Sequence, residues 1–304
     1  MKLVALILTF NEELHLARCL ASLEAVVDSV LVVDCFSTDS TVEIARSYGA
    51  NVLQNEWLNY ATQFNWALTK VAEDTDWVLR IDADEYLTTE LAEEIRRDLP
   101  SVTKEVGGIF VGRSMKFQGK LIRHGGLFPI RVARLFRLGC GECENRWMDE
   151  HIKVAGRTVD FQGELIDDNL NSVTWWTEKH NRYASREAVD LLNLTHSFIA
   201  RDSVASLSSG GQASFKRWLK EHVYSRLPGG LRAFSYFIYR YVARLGFLDG
   251  REGTAFHVLQ GFWYRYLVDV KVAEVERYMS ENDCHVIEAI DKVLEIKLDA
   301  PAKP

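Results

Sequence analysis

Long uncharged apolar runs are absent from this chain of 304 residues. None approaches the ~20 residues a membrane-spanning helix requires, which excludes a chain built of such spans. Neither Gly-x-Gly-x-x-Gly nor a P-loop occurs, so the phosphate cradles of dinucleotide-binding proteins and P-loop NTPases are missing. Positive charge is scarce as well. Lys and Arg number 36 against 43 Asp and Glu, a net charge of -7, leaving no excess to neutralise a nucleic-acid backbone. The five cysteines, odd in number and scattered, point to reduced thiols in the cytosol rather than a disulfide framework. Cys140 and Cys143 form a lone C-x-x-C with only His151 nearby as a further zinc ligand, so they read as a turn. The N-terminal apolar run, residues 2–8, is short, lacks a small-residue cleavage site and leads into Asn11-Glu12-Glu13. It reads as a buried strand rather than a leader.

What is present is organised around residues 77–85, Trp-Val-Leu-Arg-Ile-Asp-Ala-Asp-Glu. The apolar start suits a strand buried on both faces of a parallel sheet. It delivers Asp82, Asp84 and Glu85 within four residues. Like charges about 4 Å apart cost roughly 1 kcal/mol in water and about 4 kcal/mol at an effective dielectric near 20. Something positive belongs there, and spaced carboxylate oxygens suit Mg2+ or Mn2+. An acidic turn capping a helix near Thr88 is the plainer alternative.

Upstream, strands are expected over residues 2–8, 29–33 and 51–53. A helix carrying Leu14, Ala17, Leu20, Ala21 and Leu23 on one face follows the first. A second helix (Val42, Ala45, Tyr48) ends at Gly49, and a third spans residues 63–71. Alternation of this kind predicts an α/β chain with a mostly parallel, doubly wound sheet, whose ligands sit beyond the carboxyl ends of the strands. Asn11, Asp34, Asp39 and Asp82 all fall at such ends.

Thr9-x-Asn11-Glu12, then Asp34-x-x-Ser37-Thr38-Asp39, then Asp82-Ala83-Asp84-Glu85 together resemble a family 2 glycosyltransferase of the GT-A fold, similar to bacterial lipopolysaccharide core and O-antigen enzymes. The resemblance covers about the first half of the chain in order and spacing. It implies an inverting, metal-dependent transfer of a sugar from a nucleoside-diphosphate donor, a UDP-sugar, to a saccharide or lipid-linked acceptor. Thr9, Asn11, Glu12, Asp34, Asp39, Gln63, Asp82 and Ala83 would line the nucleotide-sugar site, with Asp39 near the uracil. Asp84, with Asp82, would hold Mn2+ or Mg2+. The general base is expected in Met148-Asp149-Glu150-His151. Glu150 matches the His-Glu of related bacterial enzymes and Asp149 the aspartate of the wider family; the order Asp-Glu-His departs from both, and both stay candidates. Two other classes compete. One is a sugar nucleotidyltransferase, which would carry a Gly-rich basic loop after the first strand. The other is a non-catalytic nucleotide-sugar-binding scaffold.

Residues 107–117 alternate like a strand, Gln118-Gly119-Lys120 suits a hairpin turn, and residues 121–126 would return. Residues 130–138 then interleave Arg131, Arg134 and Arg137 with apolar positions, arginines that would meet a diphosphate or form a wet strand face. Lys179, His180 and Tyr183 open a long helix to about residue 194, and with His151 they are candidates for the acceptor border. The expected organisation is a catalytic domain over 1–200, a Ser- and Gly-rich linker or lid over 201–214 and a helical region over 215–304. Between residues 215 and 251, eight basic residues face two acidic ones. Phe234, Phe237, Ile238, Tyr241, Val242 and Leu245 share a helical stripe there. Basic, aromatic helices of this kind suit the anionic inner face of the cytoplasmic membrane, with Arg240 and Arg244 toward the lipid. Packing on the catalytic domain or on a second copy is the competing use.

Overall fold

A computed structural model describes residues 1–144, 151–198 and 230–298. The chain divides into two compact units, residues 1–171 and 172–304. The division expected at residue 200 and the segment 201–214 lie outside the described residues.

The first unit opens with β1 (Leu3–Thr9), α1 (Leu16–Leu23), β2 (Ser29–Asp34), α2 (Thr41–Ser47), β3 (Asn51–Gln54), α3 (Tyr60–Leu68) and β4 (Trp77–Arg80). These four strands lie parallel in the order β3-β2-β1-β4. Strand periodicity sorts β1 cleanly. Leu3, Ala5 and Ile7 pack with Leu16, Leu20 and Ala45 of α1 and α2, while Val4 and Leu6 pack with Ala61, Phe64 and Ala67 of α3. The sheet is therefore doubly wound, and its order reverses beside β1, where ligands bind in such sheets.

The remainder extends the sheet through mostly antiparallel pairs, the one parallel pair being that of its two 12-residue strands, residues 106–117 and 157–168. Strands β5 (Glu85–Leu87), β6 (Val106–Phe117), β7 (Lys120–Leu121), β8 (Ile130–Arg137) and β11 (Arg157–Asp168) complete the order β3-β2-β1-β4-β8-β6-β11-β5, with β7 on β6. A hairpin of β9 (Gly141–Cys143) and β10 (Ile152–Val154) stands apart. Helix α4 (Thr89–Asp98) follows β5, its first turn closed by Thr88 Oγ1 accepting from the Leu91 amide.

Three local expectations shift. Helix α1 starts at Leu16 and buries Leu16, Cys19, Leu20 and Leu23, leaving Leu14 outside it and exposed. Helix α3 spans Tyr60–Leu68 rather than 63–71 because Asn59 accepts a hydrogen bond from the Thr62 amide and sets the start. The return strand expected over 121–126 is only two residues long. Gly125 and Gly126 both adopt positive φ, 88° and 68°, a conformation that ends strand pairing.

The second unit is helical: α5 (Val173–His196), α6 (Leu231–Ile238), α7 (Gly250–Phe256), α8 (Tyr264–Asn282) and α9 (Val286–Leu294). Val189 and Leu192 of α5, Val275 of α8 and Ala289 and Ile290 of α9 form its core. Helix α6 runs into a π turn at Tyr239–Ala243, and α7 joins α8 through another at His257–Trp263. These turns correct the reading of Arg240 as a lipid-facing cation. Arg240 is 1% exposed. Its guanidinium bonds Gln260 Oε1 at 2.8 Å and lies 5.5 Å from the ring centres of Tyr236 and Phe256. Beside it His257 is fully buried, and Gly246 is a glycine of necessity: a Cβ there would lie 2.6 Å from His257 Nε2. No helix among the described residues is long and apolar enough to cross a membrane.

Candidate active site

The carboxyl ends of β1 and β2 build one side. Asp34, at the tip of β2, is completely buried, and an unpartnered carboxylate there would be costly. It has four bonds: from Thr9 Oγ1 at 3.0 Å, from the Ser37 amide at 2.9 Å, from Ser37 Oγ at 2.5 Å and from Gln54 Nε2 at 3.2 Å. Asp34 and Thr9 thus hold the loop after β2 from beneath. The loops after β1 and β2 carry the exposed Asn11 and the half-buried Asp39. Asn11, at φ 54°, donates its amide to Ser37 Oγ and accepts from the Thr38 amide, both at 2.8 Å. Asp39 accepts from the Glu13 amide at 3.1 Å and from Thr41 Oγ1 at 2.5 Å. Burial pushes its carboxyl up, but the hydrogen bonds from Thr41 and Glu13 outweigh that and hold it below the ordinary range. Exposed rings of Phe10, Phe36 and Trp57 follow β1, β2 and β3. Gln63 is buried in α3 and exchanges hydrogen bonds with Asn55, so it positions the loop after β3.

The tip of β4 builds the other side, and its two aspartates differ. Both oxygens of Asp82 are engaged, Oδ1 by the Tyr60 hydroxyl at 2.9 Å and Oδ2 by Arg134 Nη2 at 3.1 Å. The same Arg134 nitrogen also donates to Glu85 Oε1, and Glu85 Oε2 accepts from the Asp82 amide at 3.1 Å. Arg80 stacks over the Tyr60 ring at 4.6 Å. The positive partner that three clustered carboxylates demand is in part an arginine supplied by β8. Burial pushes the Asp82 carboxyl up, yet Arg134, Arg80 and the Tyr60 hydroxyl hold it well below the usual range. Burial pushes Glu85 up to about 7 against Arg134, with the charge of Asp82 adding to the rise.

Asp84 lies in a second network. Its Oδ2 accepts from Asn169 Nδ2 at 3.1 Å and its carbonyl from the Asp168 amide at 3.0 Å. Arg18 clamps Asp168 at 2.7 Å. The Leu170 amide donates to His15 Nε2 at 2.9 Å, so His15 carries its proton on Nδ1, which faces Glu12 Oε2 at 2.6 Å. The Glu12 amide in turn donates to Thr41 Oγ1 at 2.7 Å. One chain of contacts therefore runs from Asp84 through Asn169, Leu170, His15 and Glu12 to Thr41 and Asp39. Asp167 joins Asp84 electrostatically; burial and then the Asp84 charge push its carboxyl well above its ordinary value.

Of the three arginines on β8, only Arg134 reaches this site. Arg131 is pinned to Asp160 at 2.6 Å and to the carbonyls of Phe110 and Phe161, and Arg137 to the carbonyls of Val102, Thr103 and Val106. Ala83 is buried under the turn, and His151 is exposed beside β10. Lys179 and His180 belong to α5 of the second unit. There His180 stacks on Trp176 with ring centres 3.4 Å apart, and burial pulls its pKa down to about 4. Asp149 and Glu150 lie outside the described residues. Sequence reasoning missed His15, Arg18, Tyr60, Asp167, Asp168 and Asn169. The signal for the last three was an Asp-Asp-Asn run closing an apolar strand, the pattern that marked Asp82.

The metal expected at Asp84 and Asp82 finds a one-sided fit. No cluster of three or more His, Cys, Asp or Glu side chains suited to a metal occurs among the described residues. Asp84 fits as a carboxylate ligand of the kind Mg2+ or Mn2+ uses when substrate phosphates complete the shell, whereas Asp82 has both oxygens committed to protein donors.

Comparison with known proteins agrees with this geometry. Residues 4–138 match glycosyl transferase family 2. Uncharacterized glycosyltransferases of Rickettsia felis and Rickettsia prowazekii are 46% and 45% identical over 209 and 210 residues, covering 63% of this chain and 70% and 68% of theirs. The lipopolysaccharide core biosynthesis glycosyltransferase LpsC of Rhizobium meliloti is 32% identical over 193 residues, 61% of this chain and 70% of that one. Among solved structures, glucosyl-3-phosphoglycerate synthase of Mycobacterium tuberculosis with Mn2+, UDP and glucosyl-3-phosphoglycerate matches at 18% identity and a TM-score of 0.31. That match covers 37% of this chain and 44% of the synthase, too partial to carry an argument. The chain belongs to glycosyl transferase family 2, and its curled sheet is the GT-A fold.

Proposed function

We propose that this chain is an inverting, divalent-metal-dependent hexosyltransferase that moves a sugar from a UDP-sugar to a saccharide or lipid-linked acceptor in bacterial surface polysaccharide synthesis. It would work as a peripheral protein on the inner face of the cytoplasmic membrane. The observation that carries this reading is the continuous path of contacts between Asp39 and Asp84, two acidic groups in the loops after β2 and β4, the strands that flank β1 where the sheet order reverses. Kinship with LpsC supports a lipopolysaccharide-type acceptor.

In this reading Asn11 and Asp39 take the base and ribose side of the donor, and the exposed rings of Phe10, Phe36 and Trp57 offer it flat apolar faces. Asp84 would hold the cation, which when bound neutralises the leaving diphosphate. Asp82, Tyr60 and Arg134 keep the tip of β4 in one position, so that Asp84 is presented without reorganisation. Glu150, with Asp149 the alternative, takes the proton of the acceptor hydroxyl, a role worth roughly 10²- to 10⁴-fold in rate.

The test is a panel of UDP- and GDP-sugars screened for thermal stabilisation and turnover with and without Mn2+. Stabilisation by a UDP-sugar that needs Mn2+ and is lost in Asp84→Ala, with turnover reduced at least ~10²-fold in Glu150→Gln while donor binding persists, is the expected result. Mn2+-independent binding that Asp84→Ala leaves intact would remove Asp84 from the site.

A further inference from the structure

The second unit carries an exposed apolar surface. Leu231, Phe234 and Ile238 follow one another along α6 at i, i+3 and i+7, the spacing of a single helical face, and Val242 in the π turn and Leu245 beyond it extend the exposed apolar run. On a packed helix this face would be covered. Here the five are 39–52% exposed, and Tyr239, Phe247 and Leu248 beside them are 45–53% exposed. The opposite face does the packing, through buried Ala233 and Arg240, and Arg232 is tied to Asp269. Contiguous exposed apolar surface of this kind marks an interaction site.

We propose that this stripe is the docking face for an anionic lipid bilayer. Charge decides the occupant. Between residues 231 and 251 the only carboxylate is Asp249, and it is buried. Arg244 and Arg251 are exposed, so the charge this segment shows to solvent is positive, in a chain whose net charge is -7. Lys216, Arg217, Lys220 and Arg226 precede it in sequence. A second copy laid on this face would bring arginine toward arginine, whereas a leaflet of acidic lipids attracts them. An apolar stripe flanked by basic side chains and aromatic rings is what lies in the plane of a membrane interface. The proposal deepens the reading of a lipid-linked acceptor and rests on it for purpose, but its geometry stands alone.

The test is flotation of the full chain with phosphatidylcholine vesicles, with or without added phosphatidylglycerol, in the absence of donor. Wild type should float with the anionic vesicles and lose that binding in high salt. The surface variant Phe234→Ser/Ile238→Ser should bind at least about tenfold more weakly at every salt concentration, and Arg244→Glu/Arg251→Glu should abolish the preference for anionic lipid. Unchanged melting temperatures would show that both variants fold. Failure of wild type to float, or equal flotation of the serine variant, overturns the proposal. So does a dimer in light scattering that the serine variant dissolves while flotation is unaffected; the face would then join two copies. A chain that floats as expected yet turns over no nucleotide-sugar would sink the glycosyl-transfer reading and leave the docking face standing.

Discussion

Two buried arginines, one in each unit, show what surroundings make of the same side chain. Arg134 is 2% exposed and Arg240 1%. Arg134 sits between Asp82 and Glu85, and although burial pulls its pKa down, those two charges raise it above the ordinary value. Arg240 meets Gln260 and aromatic rings, and burial lowers its pKa. Among the described residues its Nε and Nη2 have no hydrogen-bond partner, whereas Arg134 leaves only Nε without one. The first arginine is bound into a charge network that positions a strand tip. The second is packed as a large amphipathic body whose charge has little to act on.

Replacing Arg134 should therefore have the largest effect. Arg134→Met takes the nearest cation from the buried Glu85 and the half-buried Asp82, a change that costs about 3–5 kcal/mol when a fully buried pair is broken. Denaturant titration should show a loss near the lower bound, because Glu85 can take a proton. Donor binding should fall with it, and Arg134→Lys should restore much of the stability, since a single nitrogen, Nη2, meets both acids and one ammonium can take its place.

The next effect belongs to the second unit and to pH. Burial pulls His257 down to about 4, with Arg240 adding to the fall. The unfolded chain takes up that proton at its ordinary pKa near 6.5, so the stabilisation is complete above pH 6.5 and is lost as pH drops toward 4. Melting curves should record a decline of up to about 3 kcal/mol over this window, and His257→Met should flatten it. Equal slopes in the two proteins would mean that His257 is not held neutral.

Tyr60→Phe should be milder. It removes the hydroxyl on Asp82 and keeps the ring under Arg80, at about 0.5–1.5 kcal/mol. If Tyr60 positions Asp82, turnover with the donor should drop severalfold while the melting temperature falls by only about 2–4 °C. The smallest effect is expected at Arg240. Exchanging it for methionine deletes a poorly partnered charge from an apolar shell, and stability should change by no more than about 1 kcal/mol in either direction. A loss as large as that of Arg134→Met would abolish the distinction between the two arginines.

Much of the parallel half was legible because its signals are local. Apolar runs gave strands, caps gave helix starts, and acidic residues stood directly after the runs. Arg134 was legible as a residue but not as a neighbour of Asp82. Its side chain reaches across 52 residues of sequence, and its direction depends on how β8 lies in register with β4. The misreading of Arg240 has a similar origin: it shares the packed face of buried Ala233 seven residues before it, and Gln260 and Phe256, which cover it, come from 20 and 16 residues further on.

The order of strands and helices and the placement of acidic residues at strand ends were determined by the sequence alone, since periodicity and capping act within a turn or a strand. Which oxygens remain available was decided only by tertiary structure. Asp82 and Asp84 are two residues apart and chemically identical. They differ because β8 brings an arginine to one and the loop after β11 brings an amide to the other, and pairing over such separations is a property of the folded sheet.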